Sequence, residues 1–117
     1  VDLSRRRPHG SRVWAIEIMS GAPVMDEVLG TILKQWVERC IATIDGWVAE
    51  QQIYAVNGRA LLYMIWATTQ HYADFDRQIV VLNDGKALSD RAFEEKKQQV
   101  IGLILNSVGL RPATIVE

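Results

Sequence analysis

This sequence has little cysteine and little histidine, and neither basic nor acidic residues are in large excess. Of its 117 residues one is cysteine and two are histidine, and 13 basic residues face 14 acidic ones, so the formal net charge is -1. The single cysteine, Cys40, excludes an internal disulfide framework and fits a reducing cytoplasm. The balanced charge excludes a global basic field of the kind that attracts nucleic acid or anionic membranes. No apolar run approaches the roughly 20 residues of a membrane span.

The motifs of common catalytic and metal sites are also missing. The sequence has no Gly-rich phosphate loop, no CxxC pair, no HExxH and no GxSxG. His71 and Asp74 are spaced to share a helix face, but with His9 as the other histidine a metal shell would need carboxylates from elsewhere. An enzyme built on His71 and Asp74 is the least favoured alternative. We expect no catalysis, no cofactor and no metal.

What the sequence does contain is helical periodicity, interrupted by short stretches of turn residues. Residues 1–7 are predicted to be the end of a helix, and Pro8 and Gly10 terminate it. Ser11 is expected to cap a second helix that ends at residues 21–23 and, being apolar on most sides, is largely buried. Glu17 in this helix is either a paired or solvated carboxylate at the edge of the core, which we favour, or a buried acceptor for a ligand.

Three longer helices follow, and together they predict an all-α fold of about five helices. Residues 25–51 carry an apolar stripe with i, i+3, i+4 spacing from Val28 to Val48, which includes Trp36, while Arg39 falls on the opposite, polar face. Residues 59–82 follow an Asn57–Gly58 turn signal and form the fourth helix. The fifth helix is capped by Ser89 or Asp90 and stops at residues 109–112.

The last two helices are too apolar for a chain of this size. Residues 60–67 are apolar at every position, and residues 100–105 are interrupted by Gly102 alone. The favoured explanation is a second subunit that contributes the same two helices to an intermolecular four-helix bundle. The alternative is a central helix in a monomer. The candidate interface residues are Ile65, Tyr72, Phe75, Val100, Ile101, Ile104, Leu105 and Val108.

A candidate binding surface lies on the fourth helix. Trp66 and Gln70 are four residues apart, with Tyr63 one turn before and Ala73 one turn after. An indole wall beside an amide fits a planar, uncharged heterocycle with an adjacent N–H and C=O. A ligand, a water molecule or another side chain must satisfy Gln70, and the spacing alone favours structural packing. The candidate ligand-binding residues are Trp14, Tyr63, Trp66, Thr69, Gln70 and Ala73.

Four stretches resemble a known family of regulators. "WAIEIMSGAP", "IDGWVAEQQI", "LLYMIWATTQHYADFDRQI" and "RAFEEKKQQVIGLILNSVGLRP" are similar to the C-terminal domain of TetR-family transcriptional regulators, and most similar to the pyrimidine-utilisation repressors. The likeness spans residues 1 to about 112. The run from Trp66 to Tyr72 is specific to this subgroup, whereas the helical layout is not.

The resemblance implies a homodimer whose last two helices form the four-helix bundle. It also implies an effector pocket for uracil or thymine, to which Trp66 and Gln70 would contribute, and release of DNA when the effector binds. The family's DNA-reading helix-turn-helix precedes this domain and is absent from residues 1–117. We therefore expect an effector-binding and dimerisation domain that does not itself bind an operator, and whose pocket lacks part of one wall.

Overall fold

The computed structural model describes residues 1–111, and every regular element in that range is helical, as predicted. The helices are α1 (Asp2–Arg6), α2 (Pro8–Met19), α3 (Asp26–Val28), α4 (Lys34–Ala49), α5 (Gly58–Asp74), α6 (Asp76–Leu82) and α7 (Asp90–Ser107). A π-helical segment, Leu29–Leu33, joins α3 to α4. None of the helices formed by residues 1–111 is both long and apolar enough to cross a membrane. The predicted stop at Pro112 lies outside the described residues.

The junction between α1 and α2 differs from the prediction. Pro8 does not only end α1, because it is also the first residue of α2, where its missing N–H and fixed φ are tolerated. Arg7, with φ −133° and ψ 56°, provides the break between the two helices. Ser11 therefore lies inside α2 rather than at its cap, and its hydroxyl donates a 2.6 Å hydrogen bond to Asp74.

The prediction that α2 is largely buried is wrong. Val13, Ile16 and Met19 are 68%, 61% and 78% exposed in the single chain. Helix α2 packs mainly on α5 and has further contacts with α1, and these three side chains stay outside both contacts. Glu17 follows the first of its two interpretations, because its carboxylate accepts hydrogen bonds from the backbone N–H groups of Val24 and Met25.

The predicted fourth helix is two helices. The chain bends at Phe75, with φ −120° and ψ 29°, and α6 starts at the next residue. Arg12 of α2 stabilises this bend, since its Nε donates to the carbonyl of Ala73 and its guanidinium pairs with Asp76 at 2.6 Å. The carbonyl groups that a helix end leaves unpaired are thus partly satisfied from a distant part of the chain.

The helix starts were predicted more accurately than the bend. The side chain of Asn57 accepts from the backbone N–H of Ala60 at 2.9 Å and begins α5. Ser89, and not Asp90, caps α7 by accepting from the N–H of Ala92 at 3.1 Å. Short polar side chains at these positions satisfy N–H groups that have no partner inside the helix.

The long third helix is interrupted by the π-helical segment. A π-turn holds more residues than an α-turn, so the apolar stripe does not keep to one face across it. Of the predicted stripe, Val37 and Ile44 are buried, whereas Ile32 is 68% exposed and Trp36 is 42% exposed. The interruption therefore leaves apolar side chains of this segment outside the core.

The core is small and the molecule is flat. Ile44, Leu61 and Val108 form its centre, with Ile53 and Ile65 among the residues packed against it. The principal extents are 47 × 46 × 20 Å, so the thickness is close to two helix diameters. The accessible area is 8787 Å², against roughly 6,400 Å² for a compact monomer of this mass. Many large apolar side chains of residues 1–111 are exposed in the single chain.

Candidate functional site

A cavity of about 810 Å³ lies where α1, α2, the π-helical segment, α4 and α5 meet. The N-terminal helices contribute one wall, the segment from α3 to α4 a second, and α5 the third. Its walls are mostly apolar and carry three of the four tryptophans of the sequence. The lining residues are Val1, Leu3, Ser4, Arg7, Gly10, Ser11, Trp14, Val28, Ile32, Leu33, Trp36, Arg39, Trp66, Thr69 and Gln70.

The aromatic wall is a group of stacked rings rather than one exposed indole. The ring of Trp66 lies 5.9 Å from that of Trp36 with an interplanar angle of 11°, and 6.0 Å from that of Tyr63 with an angle of 18°. Near-parallel rings at such centroid distances are offset from each other, which is a favourable arrangement. The stack joins α4 to α5 and holds the indole of Trp66 in place at the cavity wall.

The polar groups of the cavity differ in whether they already have partners. The Thr69 hydroxyl donates to the carbonyl of Ile65 at 2.8 Å, and the Ser4 hydroxyl donates to the carbonyl of Thr69 at 2.9 Å. The Ser11 hydroxyl donates to Asp74. Within residues 1–111 no group hydrogen-bonds the side-chain amide of Gln70, which is half-buried. Gln70 therefore keeps both its donor and its acceptor for a molecule in the cavity.

Four of the six predicted ligand-binding residues line this cavity, namely Trp14, Trp66, Thr69 and Gln70. Tyr63 does not line it, and is connected to it through the stack on Trp66. Ala73 is 0% exposed, which leaves no surface for a ligand to touch. Ala73 is therefore removed from the predicted set. It lies three residues after Gln70, and its carbonyl accepts the hydrogen bond from Arg12.

The predicted interface residues differ in how much of their surface is exposed to a second subunit. Phe75 and Ile101 are 55% and 37% exposed. Val100 and Val108 are each 5% exposed, so they belong to the packing of the protomer and have almost no surface to add. The sequence prediction omitted Leu103, which is 70% exposed on α7 although it lies in the same apolar run. The half-buried members of the set are Ile65, Tyr72, Ile104 and Leu105.

His71 and Asp74 each have a structural partner. The imidazole of His71 stacks on Phe75 at 5.1 Å between centroids, with an interplanar angle of 18°. Asp74 accepts the hydrogen bond from Ser11. Among residues 1–111 no group of three or more histidine, cysteine or acidic side chains is placed to hold a metal ion.

Eleven of the fifteen lining residues were not among the predicted site residues, and two of them, Trp36 and Arg39, lie on α4. The apolar stripe assigned Trp36 to the core, and the opposite face assigned Arg39 to solvent. Their i, i+3 spacing was a usable signal, because it allows both side chains to reach one edge of a helix. The π-helical segment just before them, a feature often found near functional sites, has no recognisable pattern in the sequence.

Comparison with known proteins places this arrangement in a family. A family model described as the C-terminal region of YcdC-like proteins, one of the TetR C-terminal families, matches residues 1–111. The chain belongs to this TetR-type family. The HTH-type transcriptional regulators RutR of Escherichia coli K12 and of Shigella flexneri are each 34% identical over 113 residues, which is 96% of this chain and 52% of theirs. The chain spans about half the length of the curated relatives it matches.

The TetR-type resemblance of the sequence is thus confirmed along nearly the whole chain. The relatives are transcriptional regulators, which are not enzymes. The flat TetR-type C-terminal domain described above offers one large, mostly apolar cavity and a wide apolar surface. A mostly apolar cavity of this volume is a candidate small-molecule site.

Proposed function

We propose that this chain is the ligand-sensing and dimerising part of a TetR-type transcriptional repressor, and that its effector is a uracil- or thymine-like pyrimidine. The observation that carries the proposal is the unpaired amide of Gln70 beside the indole of Trp66 in the 810 Å³ cavity. A pyrimidine of this type presents an N–H next to a C=O, which an amide can pair with both of its polar atoms. Its flat ring can pack on the aromatic wall.

The openness of the cavity supports a sensing role over a purely structural one. A structural dimerisation module would fill the Trp66 face with its own side chains. Here Trp66 stacks on Trp36 and Tyr63, yet a large volume stays open beside it. An amide without a partner at such a wall contributes nothing to folding, whereas it gives a bound heterocycle orientation and specificity.

The cavity is also placed to pass a signal toward the N-terminal helices. Ser4 of α1 and Ser11 of α2 both hydrogen-bond to α5, at Thr69 and at Asp74. A ligand that shifts α5 would therefore shift α1 and α2 with it. In a longer protein whose helix-turn-helix precedes α1, such a shift would change the spacing of the two DNA-reading parts. The ligand must bind one spacing more tightly than the other for DNA to be released.

The exposed apolar surface supports dimerisation through α5 and α7. Met64 of α5 is 38% exposed, and Ile101 and Leu103 of α7 are 37% and 70% exposed. Large apolar side chains that stay exposed on two helices in contact with each other mark a candidate subunit interface. Pairing of two flat protomers would cover it and form the four-helix bundle of the family.

Titration with uracil and thymine tests the effector proposal. Three tryptophans line the cavity, so a Trp47→Phe background leaves the remaining tryptophan fluorescence to report on the site. We expect saturable quenching by uracil or thymine, and a loss of affinity of about tenfold or more in Gln70→Leu, because one good hydrogen-bonding pair is removed.

Gln78→Leu on the exposed surface of α6 is the matched control and should leave the affinity unchanged. The effector proposal fails if neither pyrimidine binds to a folded, dimeric chain. In the longer protein, the same pyrimidine should release operator DNA over the concentration range in which it quenches fluorescence. Binding without any change in DNA affinity would contradict the proposed switch.

A further inference from the structure

Two arginines on the cavity wall have no ionic partner within residues 1–111. Arg7 lies where α1 meets α2, and Arg39 lies on α4. Neither takes part in the ion pairs of the described residues, whereas Arg5, Arg12 and Arg59 each pair with a carboxylate. Both guanidinium groups are therefore without an ionic partner within residues 1–111, and both residues line the cavity.

The described lining of the cavity contains these two cations and no aspartate or glutamate. The rest of the wall is mostly apolar, with Trp14, Trp36 and Trp66 among its members. A cleft that carries charge of one sign on low-dielectric walls concentrates its electric field and attracts the opposite sign. The cavity is thus locally positive, although the whole chain has a formal net charge of -1.

The size of the cavity points in the same direction. Its volume of about 810 Å³ lies in the range of roughly 300–1,000 Å³ that holds drug-sized ligands. A single pyrimidine ring against Trp66 and Gln70 would fill only part of the space that residues 1–111 enclose. The arginines lie on the other two walls, contributed by the N-terminal helices and by α4. A ring that carries a substituent would use both the remaining space and these walls.

We propose that the effector is a planar heterocycle with an anionic substituent, held by Gln70 and Trp66 through its ring and by Arg39 and Arg7 through its charge. This inference rests on the proposed function and specifies the ligand class of the same site. Guanidinium groups bind carboxylate and phosphate oxygens through paired N–H donors, which adds direction to the charge attraction. Both arginines are exposed, so solvent screens the attraction and the expected gain in affinity is moderate.

Three probes that share one ring test the inference. Uracil has no charge, orotate is the uracil ring with a carboxylate, and uridine monophosphate carries the ring with a phosphate. We expect orotate or uridine monophosphate to bind about tenfold more tightly than uracil in calorimetric titrations of the folded chain, which corresponds to about 1.4 kcal/mol. The tighter of the two identifies the source of the anion.

Variants assign the effect to the cavity arginines. The double variant Arg7→Gln/Arg39→Gln should bind the charged probe no more than about twofold more tightly than it binds uracil, so that the preference is lost. Arg77→Gln is the matched control, because Arg77 is exposed on α6, does not line the cavity and loses the same charge. Raising the salt concentration from about 0.1 M to about 1 M should also reduce the preference, since the Debye length falls from ~10 to ~3 Å.

The outcomes separate this inference from the proposed function. Uracil binding as tightly as the charged probes overturns the inference and leaves the proposed function standing. Failure of all three probes contradicts both. A preference for the charged probe that survives in the double variant, or that disappears equally in Arg77→Gln, overturns the assignment to Arg7 and Arg39. Loss of the preference in the double variant alone supports it.

Discussion

Ser11 and Asp74 are joined by a 2.6 Å hydrogen bond although 63 positions separate them in the chain. The bond connects α2, one turn after its start, to the last residue of α5. Arg12, the next residue of α2, binds the carbonyl of Ala73 and the carboxylate of Asp76 on the two sides of the bend at Phe75. These contacts attach α2 to the C-terminal end of α5, the helix that carries Trp66 and Gln70.

Removal of the Ser11 hydroxyl should weaken the attachment of α2 to α5. Both partners are half-buried, and hydrogen bonds to charged groups contribute about 1.5–3 kcal/mol, so we expect Ser11→Ala to cost about 1–2 kcal/mol of unfolding free energy. Urea unfolding measures it. Ser20→Ala, at an exposed serine after α2, is the control and should cost less than about 0.5 kcal/mol. Equal effects of the two substitutions would mean that the hydrogen bond contributes nothing.

Gly109 has two reasons to be glycine, and they can be measured separately. Its φ is +83°, and a Cβ at this position would lie 2.7 Å from ring atoms of Tyr54. Gly85 has φ +77° but open space around it, so Gly85→Ala measures the backbone strain alone, about 1–2 kcal/mol. Gly109→Ala should cost about 1 kcal/mol more, because the ring of Tyr54 must also move away.

Thermal unfolding of both glycine variants in a Tyr54→Ala background completes this test. With the ring removed, Gly109→Ala and Gly85→Ala should have similar costs. If the excess cost at Gly109 persists without the ring, contact with Tyr54 is not its cause.

Lys97 controls the titration of Glu94. The Lys97 ammonium lies 2.6 Å from the Glu94 carboxylate and, as the main cause, lowers the pKa of Glu94 below its ordinary value, with a second contribution from Gln98. The pKa of Lys97 is raised, first by Glu94 and then by Asp2 of α1. In Lys97→Gln the pKa of Glu94 should rise, which carboxyl-carbon NMR titration measures directly. Lys96→Gln, one residue earlier, is the charge-matched control.

The sign of the accompanying stability change follows from the direction of the shift. A carboxyl group whose pKa is lowered by folding stabilises the protein above its unfolded-state pKa, and this contribution is lost as the pH falls through the folded-state value. Lys97→Gln should therefore lose less stability than the unmodified chain between neutral and acidic pH. An unchanged Glu94 titration in Lys97→Gln would contradict this account.

The helices could be predicted from the sequence, but the bend between α5 and α6 could not. Periodicity identified the long helices, the Asn57–Gly58 turn signal preceded α5, and Ser89 or Asp90 was expected to cap α7. Asn57 and Ser89 are the observed caps, and such starts are predictable because capping is a local interaction. The bend depends on Arg12, which is 61 positions from Ala73, and nothing in the residues around Phe75 indicates it. Pro8 was misread because a proline that ends one helix can equally begin the next.

The candidate site, too, could be predicted only in part from the sequence. Trp66 and Gln70 lie on one helix, so their spacing alone brought them together. Trp36 and Arg39 come from another helix, and the π-helical segment before them changes which face of that helix meets α5. A pattern based on uniform α-helical spacing could not contain that change. The place of Arg39 on the cavity wall was hidden for the same reason, whereas Arg7 was assigned to a helix end.

The exposed side chain of Leu103 provides a test of the proposed dimer interface. Its side chain is 70% exposed on α7, so Leu103→Glu should leave the folded protomer intact. In a two-fold interface each substitution occurs twice, and two buried carboxylates without partners are costly. We expect sedimentation equilibrium to give a dimer Kd at least about tenfold higher for Leu103→Glu than for the unmodified chain. Met19→Glu, at a 78% exposed position on α2, carries the same charge change and should sediment as the unmodified chain does. If Met19→Glu dissociates the dimer while Leu103→Glu does not, the exposed face of α2, and not that of α7, is the subunit interface.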